Sequence, residues 1–212
     1  MKKLFFVFVM LCIGALCVNA QDRIATGGRK SFTFSIGPKA GGSYNFISEP
    51  SNLNVGLKGG IGYGGGLALN AHFGRKTPSS PGGTGLFGVQ LEGTFNSKSF
   101  SSENAKMTVS GVDVPILFQI YPIPVMCIEI GPAFEFYKIK SNAEIASHGT
   151  RVGIDGQSGV NTMLSVGIGL HLTKGFTMDL RYNYGLDGLN QSWPAKISSV
   201  SLGIGWLFKV IK

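Results

Sequence analysis

Residues 160–186 have the sequence VNTMLSVGIGLHLTKGFTMDLRYNYGL, in which large apolar residues occupy every second position on both sides of a short Lys174-Gly175 break. These alternating residues are Leu164, Val166, Ile168, Leu170 and Leu172, then Phe176, Met178, Leu180, Tyr182 and Tyr184. The positions between them are mostly small or polar. A period of two is the side-chain repeat of a β-strand. The stretch therefore predicts two long antiparallel strands joined by a tight turn.

The same alternation recurs along most of the chain and predicts eight strands in all. Their approximate ranges are 31–42, 56–73, 85–98, 107–121, 125–139, 160–173, 175–186 and 197–209. Strands of soluble sheets are typically ~5–6 residues long, whereas a tilted strand needs ~9–11 residues to cross a bilayer. An even number of long strands is typical of bacterial outer-membrane barrels. The predicted fold is all-β, an eight-stranded antiparallel up-and-down transmembrane β-barrel.

The composition favours this barrel over a soluble sandwich, which also alternates. Only 14% of residues are charged, the mean hydropathy is +0.20, and 32 of 212 residues are glycine, whereas soluble chains average about 25% charged. The face opposite the large residues is mostly glycine, serine and alanine, which suits the narrow interior of an eight-stranded barrel. Three cysteines exclude a disulfide scaffold, and the aromatic content excludes disorder.

The first twenty residues predict a cleaved secretory signal peptide. Lys2 and Lys3 precede an apolar run from Leu4 to Leu16, and Val18-Asn19-Ala20 provides a cleavage site. The predicted organisation is a signal peptide at 1–20 and an outer-membrane β-barrel domain at 21–212, located in the cell outer membrane. Cleavage would leave Cys127 as the one cysteine, which we interpret as a buried small residue rather than half of a disulfide.

Loop lengths predict the orientation of the barrel, because outer-membrane barrels have short periplasmic turns and long extracellular loops. Short turns are predicted at 121–124 and 173–175, and long polar loops at 43–55, 99–106, 140–159 and 187–196. The segment 74–84 is long although it lies at the short-turn end. Two belts of aromatic residues are predicted. One belt contains Phe32, Phe73, Phe87, Tyr121, Phe176, Trp206 and Phe208, and the other contains Phe95, Phe136, Tyr182 and Tyr184.

Charged residues on the inward positions predict an ionic network in the lumen. Its predicted members are Lys39, Glu92, Asp113, Glu129, Glu135, Asp179 and Arg181. Further inward positions are assigned to Lys58, Lys98, His72 and His171. Asp179 and Arg181 are two residues apart, so they share one face of a strand. A buried charge needs a partner, so we predict a plugged lumen, and the alternative is a narrow passive pore or an ion path.

Catalytic and metal-binding interpretations are weaker. Loop 140–159 contains Ser147, His148, Asp155 and Ser158, but serine and aspartate are ordinary loop residues. His72 and His171 both face inward near the short-turn end, yet the spacing supplies no third ligand. The sequence therefore predicts no enzyme, no cofactor and no metal.

The expected partners are membrane components and proteins. Lipid surrounds the barrel, and lysines of the outer loops are expected to meet lipopolysaccharide phosphates. A protein partner is expected at the extracellular loops or at the periplasmic turns, with His148, Arg151 and Trp193 as loop contact candidates. Export argues against nucleic acid as a ligand, and the barrel is predicted to be a monomer.

Three segments carry a resemblance to a known family. They are GVDVPILF at 111–118 followed by Tyr121-Pro122, Ile130-Gly131-Pro132, and LRYNYGL at 180–186. With these motifs the chain resembles the PorT-like outer-membrane β-barrel family, and more broadly barrels of the OmpX and OmpA type. The motifs are structural, so the resemblance implies the fold. It also implies an alternative role as an accessory subunit of a protein-secretion complex.

Overall fold

The computed structural model describes residues 30–48, 58–77, 80–101, 106–123, 125–141, 144–147, 150–153, 155–172, 175–188 and 195–211. Nearly all of them lie in strands. The strands are β1 (Lys30–Ser48), β2 (Gly60–Thr77), β3 (Ser80–Ser101), β4 (Lys106–Ile123), β5 (Met126–Ser141), β6 (Glu144–Ser147), β7 (Thr150–Gly153), β8 (Ser158–His171), β9 (Phe176–Gly185), β10 (Lys196–Trp206) and β11 (Phe208–Ile211). Within these ranges there is no helix of the length and apolarity needed to carry a chain across a bilayer.

Eight of these strands close into an antiparallel barrel, and each forms one stave of its wall. Neighbouring strands pair in the order β10-β9-β8-β5-β4-β3-β2-β1, and a β1–β10 pairing closes the sheet. After an interruption at Leu207, β11 continues the last wall and pairs with the start of β1. The closed barrel of eight antiparallel strands confirms the predicted fold class, and closure leaves the wall without an unpaired edge.

The alternating residues of each strand point in turn into the lumen and onto the outer surface of the barrel. Along β5, Cys127 and Glu129 are buried in the lumen, whereas Ile128 and Ile130 are exposed on the outer surface. On the same outer surface the exposed fraction of Leu180 is 53%. A soluble monomer rarely exposes a large continuous apolar surface, but the outside of a membrane barrel faces hydrocarbon. The large apolar residues therefore face lipid, and the polar ones fill the interior.

The long connection predicted at 74–84 is a continuation of the β2–β3 hairpin. The ladder continues from Phe73↔Phe87 through Gly74↔Gly85 and Arg75↔Thr84 to Thr77↔Ser80, with two register shifts. The start of β1 joins it, because Lys30 pairs with Arg75. The prediction of a loop here was wrong because glycine and proline hid the strand pattern. The segment is long because its backbone stays paired.

Two predicted loops are also more ordered than expected. The first strand continues past residue 42 to Ser48 and pairs with β10 along that extension. Within the predicted loop 140–159, β6 and β7 form a separate two-stranded hairpin. The loop returns to the barrel through a backbone hydrogen bond of 2.8 Å from Ile139 N to Gln157 O. Gly156 has φ of +76° there, a conformation that glycine adopts without strain.

Close strand approach predicts an effect of one glycine. A β-carbon at Gly131 would clash with the carbonyl oxygen of Ile116 on β4. We expect Gly131→Ala to destabilise the barrel by about 1–3 kcal/mol, as overpacking does, in urea unfolding of the protein refolded in lipid vesicles. The matched control is Gly93→Ala, because a β-carbon at Gly93 would have no atom within 4 Å. Equal stability of the two variants would contradict the role of this contact.

Candidate functional site

The lumen contains a central ion cluster, which we define as Lys39, Glu92, Glu129, Asp179 and Arg181. The guanidinium of Arg181 donates from Nη1 and Nη2 to the two carboxylate oxygens of Glu92, at 2.9 and 2.7 Å. Its Nε donates to Glu129 Oε2 at 2.7 Å. Such forked pairing with a carboxylate matches the planar geometry of arginine. Arg181 on β9 thereby links β3 and β5 across the interior.

Lys39 completes the cluster from a fourth wall. Its Nζ lies 2.8 Å from Glu92 Oε1 and 2.7 Å from Asp179 Oδ2. Asp179 also lies 3.2 Å from Arg181 Nε, so the two residues that the sequence placed on one face do contact each other. The side chains of the cluster are between 1% and 8% exposed. The cluster therefore ties β1, β3, β5 and β9 together in a region that solvent barely reaches.

The formal charges of the central ion cluster do not cancel. Two cations, Lys39 and Arg181, face three carboxylates, Glu92, Glu129 and Asp179. One negative charge is therefore in excess within the cluster. A charge held away from water is costly without a counter-charge. The excess negative charge would therefore be stabilised by a further cation in the lumen.

Glu135 and Asp113 lie apart from the central ion cluster, although the sequence assigned all seven residues to one network. Lys98 Nζ pairs with Glu135 Oε1 at 2.6 Å, and both side chains are buried. Asn161 Nδ2 donates to Glu135 Oε2 at 3.4 Å. One carboxylate oxygen of Asp113 is buried without a hydrogen-bond partner. The lumen thus contains two ionic groups, and the second includes Lys98, an inward lysine left out of the predicted network.

An amide cluster, defined as Asn70, Gln90 and Gln119, adjoins the central ion cluster. Asn70 Nδ2 donates to Gln90 Oε1 at 3.0 Å and to Gln119 Oε1 at 2.7 Å. Gln119 Nε2 donates to Glu129 Oε1 at 2.8 Å, and Gln90 donates to Glu92. The sequence prediction considered only charges and missed this layer. The signal was available, because all three amides occupy inward positions of their strands.

The short-turn end, which carries the β4–β5 and β8–β9 turns, is filled by aromatic rings. Tyr121 is 4% exposed and lies between His72 and His171, at ring-centroid distances of 4.4 and 5.4 Å. Its hydroxyl donates to Gln119 Oε1 at 2.8 Å. Tyr121 was predicted to belong to the aromatic belt around the outer surface at the short-turn end. This prediction was wrong, because the position of Tyr121 along β4 has the parity of the inward-facing residues. Lys58 was also misplaced, because it is exposed in an isolated bridge to Ser101.

A cavity of about 110 Å³ lies between the two ionic groups. Lys39, Glu92 and Arg181 line one part of it, and Lys98 and Asp113 line another. This volume exceeds the ~10–15 Å³ that a cavity needs to hold one water molecule. The space is small, and the charged side chains of the central ion cluster form part of its wall.

The loop contact candidates fall largely outside the described residues. His148 and Trp193 lie outside them, and of Arg151 the structure describes the backbone, which pairs with Ala146 in the small hairpin. Of the residues considered for catalysis, Ser147 ends β6 and Ser158 begins β8. Asp155 accepts a hydrogen bond from the backbone N–H of Ser141 at 3.0 Å. Its carboxylate thus fastens the loop to the end of β5.

Comparison with known proteins agrees with this architecture. The sequence matches the family described as outer membrane protein beta-barrel domain over residues 8–208. The chain therefore belongs to this family of outer-membrane β-barrels. The outer membrane is accordingly its location. No curated protein is a significant match.

Comparison with solved structures finds similar barrels of the outer membrane at low sequence identity, and the first of them supports the fold. The crystal structure of Neisserial surface protein A is 10% identical, with a TM-score of 0.53, covering 85% of this chain and 99% of that one. Ail, the attachment invasion locus protein of Yersinia pestis, is 16% identical, with a TM-score of 0.46 and coverage of 82% and 98%. Identity this low speaks to the fold alone. The narrower PorT-like assignment remains a prediction.

Proposed function

We propose that the chain is a monomeric barrel whose lumen is closed by its own side chains and whose role is structural or interactive, exerted through the extracellular loops. Residues 1–20 would serve as the signal peptide, and both termini would lie in the periplasm. Lipid and lipopolysaccharide would be the membrane partners, and a protein would bind at the loops or the periplasmic turns. The proposed role involves no catalysis and no nucleic acid.

The proposal rests on the ion pairs that fix the guanidinium of Arg181 at the centre of the lumen. Its guanidinium bridges Glu92 on β3 and Glu129 on β5, while Lys39 reaches from β1 to Glu92 and Asp179. An eight-stranded barrel has an interior only wide enough for side chains to fill. The amide cluster adds a second polar layer. We infer that these two successive layers of bonded side chains, within the part of the chain that the structure describes, obstruct the passage of ions.

Planar-bilayer recording tests the plug. We expect the purified wild-type barrel to produce no reproducible ohmic steps, because the central ion cluster and the amide cluster block the lumen. The comparison variant combines Glu92→Ser with Arg181→Ser, which removes the forked pair and leaves the excess charge of the cluster unchanged. We expect this double variant to conduct. Reproducible steps from the wild-type protein would contradict the plug.

The alternative of a small passive pore is favoured by the cavity of about 110 Å³ that lies between the two ionic groups. Conductance of the wild-type protein would select it. The alternative of an accessory subunit of a secretion complex is favoured by the PorT-like segment at 111–118. Extraction in mild detergent distinguishes it, because a secretion subunit would copurify with a partner at fixed stoichiometry and a stand-alone barrel would not.

A further inference from the structure

Three side chains with metal-binding atoms converge at the short-turn end of the lumen. They are Cys127 and Glu129 on β5 and His171 at the end of β8. The sulfur, a carboxylate oxygen and a ring nitrogen all lie within 4.8 Å of one another. We propose that these three residues form a site for a divalent transition-metal ion such as Zn²⁺, with water completing the coordination.

The distances are close to those of a metal-bound set. Cys127 Sγ lies 3.6 Å from Glu129 Oε1. Zinc bonds of about 2.0–2.3 Å place tetrahedral ligand atoms about 3.3–3.8 Å apart. The sulfur and the carboxylate already satisfy this spacing, so only the imidazole of His171 has to approach, by at most about 1 Å. The Tyr121 hydroxyl, 3.4 Å from His171 Nε2, contacts that ring.

The neighbouring strand leaves room for this cluster. Gly169 pairs with Cys127 across the β5–β8 ladder. A β-carbon at Gly169 would lie 2.6 Å from Cys127 Sγ and 2.7 Å from Glu129 Oε1. Any other residue there would therefore push the two ligand atoms away. The glycine keeps a space in which the sulfur and the carboxylate can meet.

The charge balance of the central ion cluster favours a bound cation. Glu129 belongs to the central ion cluster, which has one negative charge in excess. A divalent ion adds two positive charges, and metal binding releases the Cys127 thiol proton to solvent and adds one negative charge. The sum then cancels the excess charge. Glu129 can serve both partners, because Arg181 holds Oε2, whereas the metal would share Oε1 with the amide of Gln119, which donates to that oxygen.

The donor set selects the class of metal. A thiolate with an imidazole and one carboxylate suits Zn²⁺ and related borderline ions, whereas Mg²⁺ and Ca²⁺ require oxygen ligands. The sequence suggested only the pair of His72 and His171 and supplied no third ligand. The missing donors come from β5. Cys127 and Glu129 are distant from His171 in the sequence, and the pairing of β5 with β8 brings them beside it.

Cobalt substitution tests the site on the folded, untagged, metal-free barrel in detergent. Co²⁺ titration is expected to produce a thiolate-to-cobalt charge-transfer absorption at one equivalent, and Zn²⁺ should displace it. Cys127→Ser should abolish the absorption. His171→Gln should weaken Co²⁺ binding more than about tenfold, because even the loss of a residue that only orients a metal ligand costs about 10–100-fold in affinity.

Two controls separate this site from adventitious binding. Full-length chain with Cys12→Ser and Cys17→Ser should keep the absorption, and so should His72→Gln, because neither change touches the three proposed ligands. Folding of each variant is verified by its shift in electrophoretic mobility on heating. A folded wild-type barrel without the absorption, or an absorption unchanged in Cys127→Ser, would overturn the proposal.

Discussion

Replacing Arg181 with alanine is expected to destabilise the barrel by about 3–5 kcal/mol, the usual cost of leaving buried partners of an ion pair without their counter-charge. Arg181 contacts Glu92, Glu129 and Asp179. Without it, Lys39 would be the one cation left to face three carboxylates in the central ion cluster. The excess of negative charge would increase from one to two.

Urea unfolding of the barrel in lipid vesicles, followed by tryptophan fluorescence, measures the effect of Arg181→Ala. The control is Lys209→Ala, which removes a positive charge from an exposed position on β11 and is expected to change stability by no more than about 0.5 kcal/mol. Arg181→Lys should fall between the two, because an ammonium keeps the charge but cannot pair with Glu92 through a planar fork. If Arg181→Ala behaved like Lys209→Ala, the cluster would not stabilise the barrel.

The second large effect is expected on the outer surface. Leu180 lies at the centre of β9 with 53% of its surface exposed, and it pairs with Leu202 on β10 and Ile168 on β8. We expect Leu180→Arg to cost about 2–4 kcal/mol in a bilayer, because an arginine facing lipid at mid-depth is poorly solvated. Unfolding in lipid vesicles provides the measurement.

The matched variant is Leu186→Arg. Leu186 is 45% exposed and follows the end of β9, where the strand approaches the membrane interface. The same substitution should cost only about 0–1 kcal/mol there. The difference between the two positions measures depth in the membrane. Equal costs at both positions would contradict a bilayer centred on the middle of β9.

Prediction of the fold succeeded because the decisive signal is local. In β9 the large residues alternate without interruption, and in β5, β8 and β10 they occupy most of the outward positions, so period and length sufficed. The signal failed where glycine and proline replaced the large residues. The segment 74–84 appeared to be a loop although its backbone is paired, and the predicted first strand at 31–42 stopped short of residues 43–48, which extend β1.

Prediction of the lumen was less complete because pairing there is not local. Parity along a strand places Glu92, Glu129 and Arg181 inside the barrel, but it does not say which charges meet. Arg181 reaches Glu92 because closure of the barrel brings β9 opposite β3. Glu135 instead pairs with Lys98, at a different level of the lumen. These contacts depend on the length of the side chains and on the diameter of the barrel, and the alternating sequence pattern does not predict which residues meet.

The cross-lumen ion pairs also set an order of events in folding. Hairpins between sequence neighbours, such as β4–β5, can form early, whereas Arg181 and Glu92 are 89 residues apart. Contacts of such long range carry a loop-closure cost and form late. We therefore expect the seam between β1 and β10 and the bonds of Arg181 to form late and together. Interactions that are absent from the transition state slow unfolding more than they speed folding. We therefore expect the central ion cluster to lower the unfolding rate of the closed barrel.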